Sequence, residues 1–173
     1  MKKLIFILVF AAVTAMAGVS AQPVANHPAE VGQDTEEGEI LKLCKWYVST
    51  VPSDDAEQTE LRRAVAAEIL KYATETTKFS LTITPASVKV LSASSDFTMV
   101  YIAGEVIYCL EHNLAQSDAA SFVSAMEGVI NLYAQMPEHK VKALNKYLDM
   151  TPDKRTAAFE KLYKKGVEKV SIP

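Results

Sequence analysis

From residue 36 onward, apolar side chains recur at three- and four-residue steps, the spacing of one face of an α-helix. Ile40, Leu43, Cys44, Tyr47 and Val51 make the first such stripe, with Trp46 off its centre at the edge of a core. Asp34 as N-cap, with Glu37 reaching back in a capping-box arrangement, starts this helix, and Pro52 ends it. Asp54 and Glu57 repeat the cap for a second helix running to about Thr76, with Leu61, Val65, Ile69, Tyr72 and Ala73 inward. Two amphipathic helices on so short a link predict an antiparallel hairpin.

At 79–83 the period changes to two: Phe79, Leu81 and Ile83 alternate with Ser80 and Thr82, which predicts one extended segment. Thr84 followed by Pro85 is an N-cap with proline at the first helical position, opening a short helix to about Leu91. The run from Asp96 to His112 is apolar on nearly every side and too long for a strand, so it reads as a central buried helix with Asn113 as its C-cap. Ser117 is the expected N-cap of a fifth helix that turns Phe122, Met126, Val129, Ile130 and Tyr133 inward. Pro137 can open a sixth, with Val141, Leu144 and Leu148 on its face. Thr151 and Pro152 signal a seventh that carries Phe159, Leu162 and Tyr163, is weakened at Gly166 and frays toward Pro173. The pattern predicts an all-α fold: six to seven helices as an orthogonal bundle or a short array of helical hairpins. The hairpins share no period of about 34 residues, so no tetratricopeptide-type groove is implied.

The first residues follow a different pattern. Lys2 and Lys3 precede an apolar stretch from Leu4 to Val13, and Val19, Ser20 and Ala21 offer small side chains to a peptidase, which marks 1–21 as a signal peptide. The apolar run stops short of the roughly 20 residues a membrane-spanning helix needs. Residues 22–35 hold two prolines and a glycine and read as a flexible lead-in, leaving 36–170 as a single helical domain. With no cysteine near the cleavage point, the expected product is soluble, periplasmic or secreted, not a lipoprotein, and without a stable membrane span.

Charge refines this picture. The 152 residues after Ala21 carry 16 basic and 21 acidic side chains, a formal charge of −5 that argues against a nucleic-acid partner. Gln22 to Glu39 contains five acids and no bases, whereas Glu138 to Pro173 contains nine bases and five acids. Spaced Lys and Glu of the latter kind are ordinary on solvated helix faces. Cys44 and Cys109 are the only cysteines. Export permits a disulfide between them, and their apolar faces equally suit two free thiols acting as small hydrophobes.

Glu105 is the main chemical candidate, a carboxyl set among Tyr101, Ile102, Ala103, Gly104, Val106 and Ile107. Burial would raise its pKa. Tyr101, Glu105, Tyr108 and His112 fall on one helical face with Cys109 and form the candidate ligand-binding track. Gly104 costs its helix about 1 kcal/mol relative to alanine, which close approach of another helix would offset. Glu138–His139 and Glu111–His112 are adjacent pairs whose side chains diverge around a helix, so no metal site and no cofactor are expected. His27 and His139 read as solvated. No nucleophile motif or Gly-rich phosphate loop accompanies Glu105.

LCKWYVSTVP followed by ELRRA, then FSLTITP, then YIAGEVIYCLEHN, roughly Leu41 to Asn113, resembles a group of small exported helical proteins of Gram-negative bacteria whose function is uncharacterised. The resemblance implies an exported helical protein and carries over no catalytic or binding residue. The expectation is a non-enzymatic envelope module that binds a protein, peptide or glycan. The alternatives are a small-molecule or lipid-binding bundle with a pocket beside the central helix and, third, an enzyme using Glu105 as acid or base.

Overall fold

The computed structural model describes residues 35–138 and 140–170. The segment 1–21 expected to be a signal peptide, the lead-in up to Asp34, His27, His139 and the last three residues lie outside them. Seven helices follow one another: α1 Glu36–Ser49, α2 Ala56–Glu75, α3 Pro85–Leu91, α4 Ser95–Glu111, α5 Ala119–Ala134, α6 Lys142–Leu148 and α7 Pro152–Val170. The fold is all-α, and none of these helices is long and apolar enough to cross a membrane.

One core draws on all seven, including Ile40, Val65, Val90, Phe97, Phe122, Leu144 and Phe159. The α4–α5 pair is its centre and its most extensive contact; α1 lies against α4 with α2 alongside both, while α7 and α6 cover α5. The short α3 bridges α4 and α7. Aromatic rings carry the core across these layers: Tyr101 of α4 meets Phe122 of α5 edge-on at 5.9 Å, and Phe122 meets Tyr163 of α7 at 5.4 Å. Such pairs add about 0.5–1.5 kcal/mol each beyond the area they bury.

Caps explain where the helices start, and several differ by one residue from the expectation. Thr35 caps α1 by accepting from the Gly38 amide; Asp34 lies outside the described residues, and Glu37 pairs instead with Lys78. Asp55, rather than Asp54, caps α2 through the Gln58 amide. Asp118, rather than Ser117, caps α5, where its carboxylate accepts from Ala120 and Ser121 and the Ser121 hydroxyl accepts from the Asp118 amide. In each case the side chain one position further on has the reach to the N2 or N3 amide that a cap requires. The α4 helix ends in a Schellman turn: Asn113 adopts φ 51°, Leu114 N–H donates to Cys109 C=O and Asn113 N–H to Leu110 C=O, so His112 is the C-cap and Asn113 stands one place beyond it.

Two further expectations need correction, and the extended segment expected at 79–83 is not confirmed: these residues belong to neither a helix nor a strand. Ser80 forms a lone parallel bridge with Gln116, and Ile83, just before the N-cap of α3, is 49% exposed. Pro137 lies in a turn, and α6 begins at Lys142, after Val141 N–H has found the Tyr133 hydroxyl at 3.0 Å in place of a side-chain cap. That start buries Tyr147 and leaves Leu148 40% exposed. Finally, α7 runs through Gly166 without a break, and an added Cβ there would lie 2.6 Å from Cβ of Thr84, the α3 cap. The glycine permits the contact that holds α3 against α7.

Candidate functional site

Gly104 lets α4 and α5 approach as expected: a Cβ at this position would stand 2.9 Å from Ala125 Cα, inside any real contact distance. That approach brings Glu105 against the first turn of α5. Its Oε1 is in hydrogen-bond contact with the Tyr101 hydroxyl at 2.8 Å, one helical turn earlier, and its Oε2 accepts from the Ser121 hydroxyl at 2.9 Å. Tyr101 also reaches the Thr82 carbonyl at 3.2 Å, while the Ser117 hydroxyl accepts from Thr82 N–H at 2.7 Å. The carboxyl is therefore surrounded by hydroxyls, with no solvent-exposed surface. Burial pushes the Glu105 pKa up; hydrogen bonds from Tyr101, Ser121 and Ser117 oppose that rise, and the charge of Asp118 adds to it. Burial likewise raises Tyr101, with the neighbouring Glu105 as the next cause.

The proposed four-residue track is divided. Tyr101 and Glu105 belong to this sealed cluster, whereas His112 is exposed and stacks on the half-buried Tyr108 with ring centroids 4.1 Å apart. Cys109 and Leu110 are still in the core and exposure begins at Glu111, so one helical face meets two environments. Ser117, Ser121 and Thr82 completed the cluster without being foreseen. Only the chain fold places them beside Glu105, although their types, short hydroxyl residues around a helix start, are a usable signal.

Cys44 and Cys109 are free thiols, both buried in the contact region of α1 and α4. Desolvation pushes Cys44 up to about 12 and, with the help of Glu105 and Asp118, Cys109 up to about 11. Neither is poised to react, because the thiolate is the reactive form.

Two arginines also escaped sequence reasoning. Arg62, 5% exposed, donates to the Tyr47 and Thr50 carbonyls at 3.2 and 2.7 Å, pairs with Asp96 at 3.1 Å and lies 4.0 Å over the Tyr47 ring. It thereby satisfies carbonyls at the end of α1 and ties α2 to the start of α4. Arg155 of α7 grips Glu127 of α5 with Nε 2.7 and 2.8 Å from the two carboxylate oxygens.

An open groove of about 450 Å³ lies elsewhere, between the first turns of α1 and the last turns of α2. Glu36, Glu37, Glu39, Glu68 and Glu75 line it with Lys71 and Lys78, over a floor that includes Ile40, Leu43 and Tyr72. The glutamates of α1 sit at its N-terminus, where the helix dipole favours them. Neither Glu105 nor its partners border this groove. Among the described residues, no cluster of three or more His, Cys, Asp or Glu is arranged to hold a metal ion. Compared with protein-family models, with curated proteins and with solved structures, the chain matches none.

Proposed function

We propose that this chain is an exported, non-enzymatic interaction module of the cell envelope that docks a protein or peptide in the α1–α2 groove. The observation that carries this reading is the groove itself, an open concavity of about 450 Å³ with five glutamates and two lysines on its walls and apolar side chains beneath. Its charge favours a partner that presents lysine or arginine. Export rests on the pattern of residues 1–21, to which the resemblance over Leu41 to Asn113 adds support.

Two competing readings are weaker on the same geometry. A small-molecule or lipid pocket beside the central helix has little room where Gly104 backs onto Ala125, and an acid or base at Glu105 has no exposed surface for a substrate to meet. The test is affinity capture from an envelope fraction with the chain lacking 1–21 as bait, against the double variant Glu68→Lys, Glu75→Lys. The expected result is a basic partner retained by the wild type and lost from the variant. Equal capture by both would remove the groove from the proposal.

A further inference from the structure

Tyr101 stands between two oxygens, Glu105 Oε1 at 2.8 Å and the Thr82 carbonyl at 3.2 Å. A phenol has one proton to donate, and a backbone carbonyl can only accept. One shared proton serves the two contacts weakly; each is a full hydrogen bond when Tyr101 donates to Thr82 and accepts from a protonated Glu105 Oε1. The rest of the cluster is consistent with this arrangement. Ser121 stands 2.9 Å from Oε2 and 3.0 Å from the Asp118 carbonyl, and donating to Oε2 leaves that carbonyl its bond from Phe122 N–H at 3.0 Å.

The charged surroundings lead to the same protonation state. The titratable groups acting on Glu105 are Tyr101 and Cys109 on its own helix, Asp118 at the head of α5 and Tyr163 on α7; of these, Asp118 disfavours a second negative charge. Among the cations of the packed neighbours, Arg62 of α2 pairs with Asp96, Lys45 of α1 with Glu111 and Arg155 of α7 with Glu127, while Lys89 of α3 and Lys154, Lys161, Lys164 and Lys165 of α7 are exposed.

We propose that Glu105 is a proton-operated latch: protonated, it donates to Tyr101, which in turn holds the Thr82 carbonyl and fastens residues 79–84 to α4; ionised, it draws the Tyr101 proton to itself and frees Thr82. The proton leaving Glu105 passes to water. The fastened segment runs directly into Thr84, which caps α3 and packs against Gly166 of α7; ionisation removes its tie to α4 and leaves it held by the Ser80 bonds to Ala115 and Ser117 and by Thr82 N–H on the Ser117 hydroxyl, so the junction of α3, α4 and α7 loosens without coming apart.

Carbon-13 NMR of the labelled protein tests this by following the Glu105 carboxyl and the Thr82 carbonyl through a pH titration. The expected result is one shared midpoint for both signals, above the ordinary glutamate value of about 4.3. In Glu105→Gln the side-chain amide can donate to Tyr101 at every pH, so the Thr82 signal should stay at its low-pH position throughout. In Tyr101→Phe the Glu105 signal should still titrate while Thr82 no longer follows. A Glu105 midpoint in the ordinary range, a Thr82 carbonyl that does not move with it, or a Thr82 signal that still titrates in Glu105→Gln would each overturn the latch. Should Tyr101→Phe fail to fold, the wild type and Glu105→Gln decide the matter by themselves.

Discussion

The α1–α2 and α4–α5 hairpins have similar apolar spacing but treat their polar side chains in opposite ways. In α4–α5 the helices close on each other at Gly104 and Ala125, and the one carboxyl left in the middle is answered by hydroxyls alone. In α1–α2 the carboxylates stay at the rim of an open groove, where water and lysines accompany them. Solvent access accounts for the contrast: a buried charge without a cation is far costlier than a hydrated one. The closed pair therefore suits a proton-dependent device, and the open pair suits a partner.

The sharpest way to break this comparison is at Arg62, where the two hairpins are joined. Arg62→Ala removes the cation from Asp96, which keeps only the Tyr47 hydroxyl, and takes a donor from the Tyr47 and Thr50 carbonyls; loss of one member of a buried pair costs about 3–5 kcal/mol. Urea denaturation should show a loss toward that range, and a change below about 1 kcal/mol would mean that the hairpins do not depend on this junction.

A smaller effect is expected at the helix crossing. Gly104→Ala gains helix propensity but forces a methyl against the Ala125 backbone, so a net destabilisation of about 1–3 kcal/mol is expected from overpacking. Equal or greater stability in the same denaturation series would show that α4 and α5 can separate without loss.

The buried carboxyl sharpens the comparison through pH. The folded-state pKa of Glu105 is raised, so the folded protein holds a proton that the unfolded chain has already released above about 4.3. Stability attributable to this group is complete below that value, falls as pH rises toward the folded pKa and is constant beyond it. Thermal unfolding across this window should therefore show a slope in the wild type that Glu105→Gln reduces.

The smallest effects belong to the groove and the thiols. Glu68→Lys and Glu75→Lys should each change stability by no more than about 0.5 kcal/mol, as surface substitutions generally do, even if they abolish capture of a partner. A thiol reagent should leave Cys44 and Cys109 unmodified in the native protein and label both after denaturation. Rapid labelling of the folded form would contradict their burial.

Local signals located most of the fold. The Thr84–Pro85 start and the Leu91 end of α3 matched the expectation, and every residue assigned inward on α5 is buried, because capping and apolar periodicity act within one or two turns. Helix starts governed by competing neighbours, such as Asp54 against Asp55 or Ser117 against Asp118, shifted by one residue. The start of α6 could not be read at all, since its first free amide is met by Tyr133 from another helix.

The candidate site was legible to the same extent. Sequence alone marked Glu105 as a carboxyl among apolar neighbours, placed Tyr101 one turn away and anticipated a close approach at Gly104. Tertiary structure decided which part of that helical face is sealed, sending Tyr101 and Glu105 inward and His112 into solvent. It alone brought Thr82, Ser117 and Ser121 to the cluster, set Arg62 on Asp96 and left a groove between α1 and α2. Periodicity and capping depend on residues a few positions apart, whereas a proton's second acceptor or a groove's opposite wall can come from anywhere in the chain.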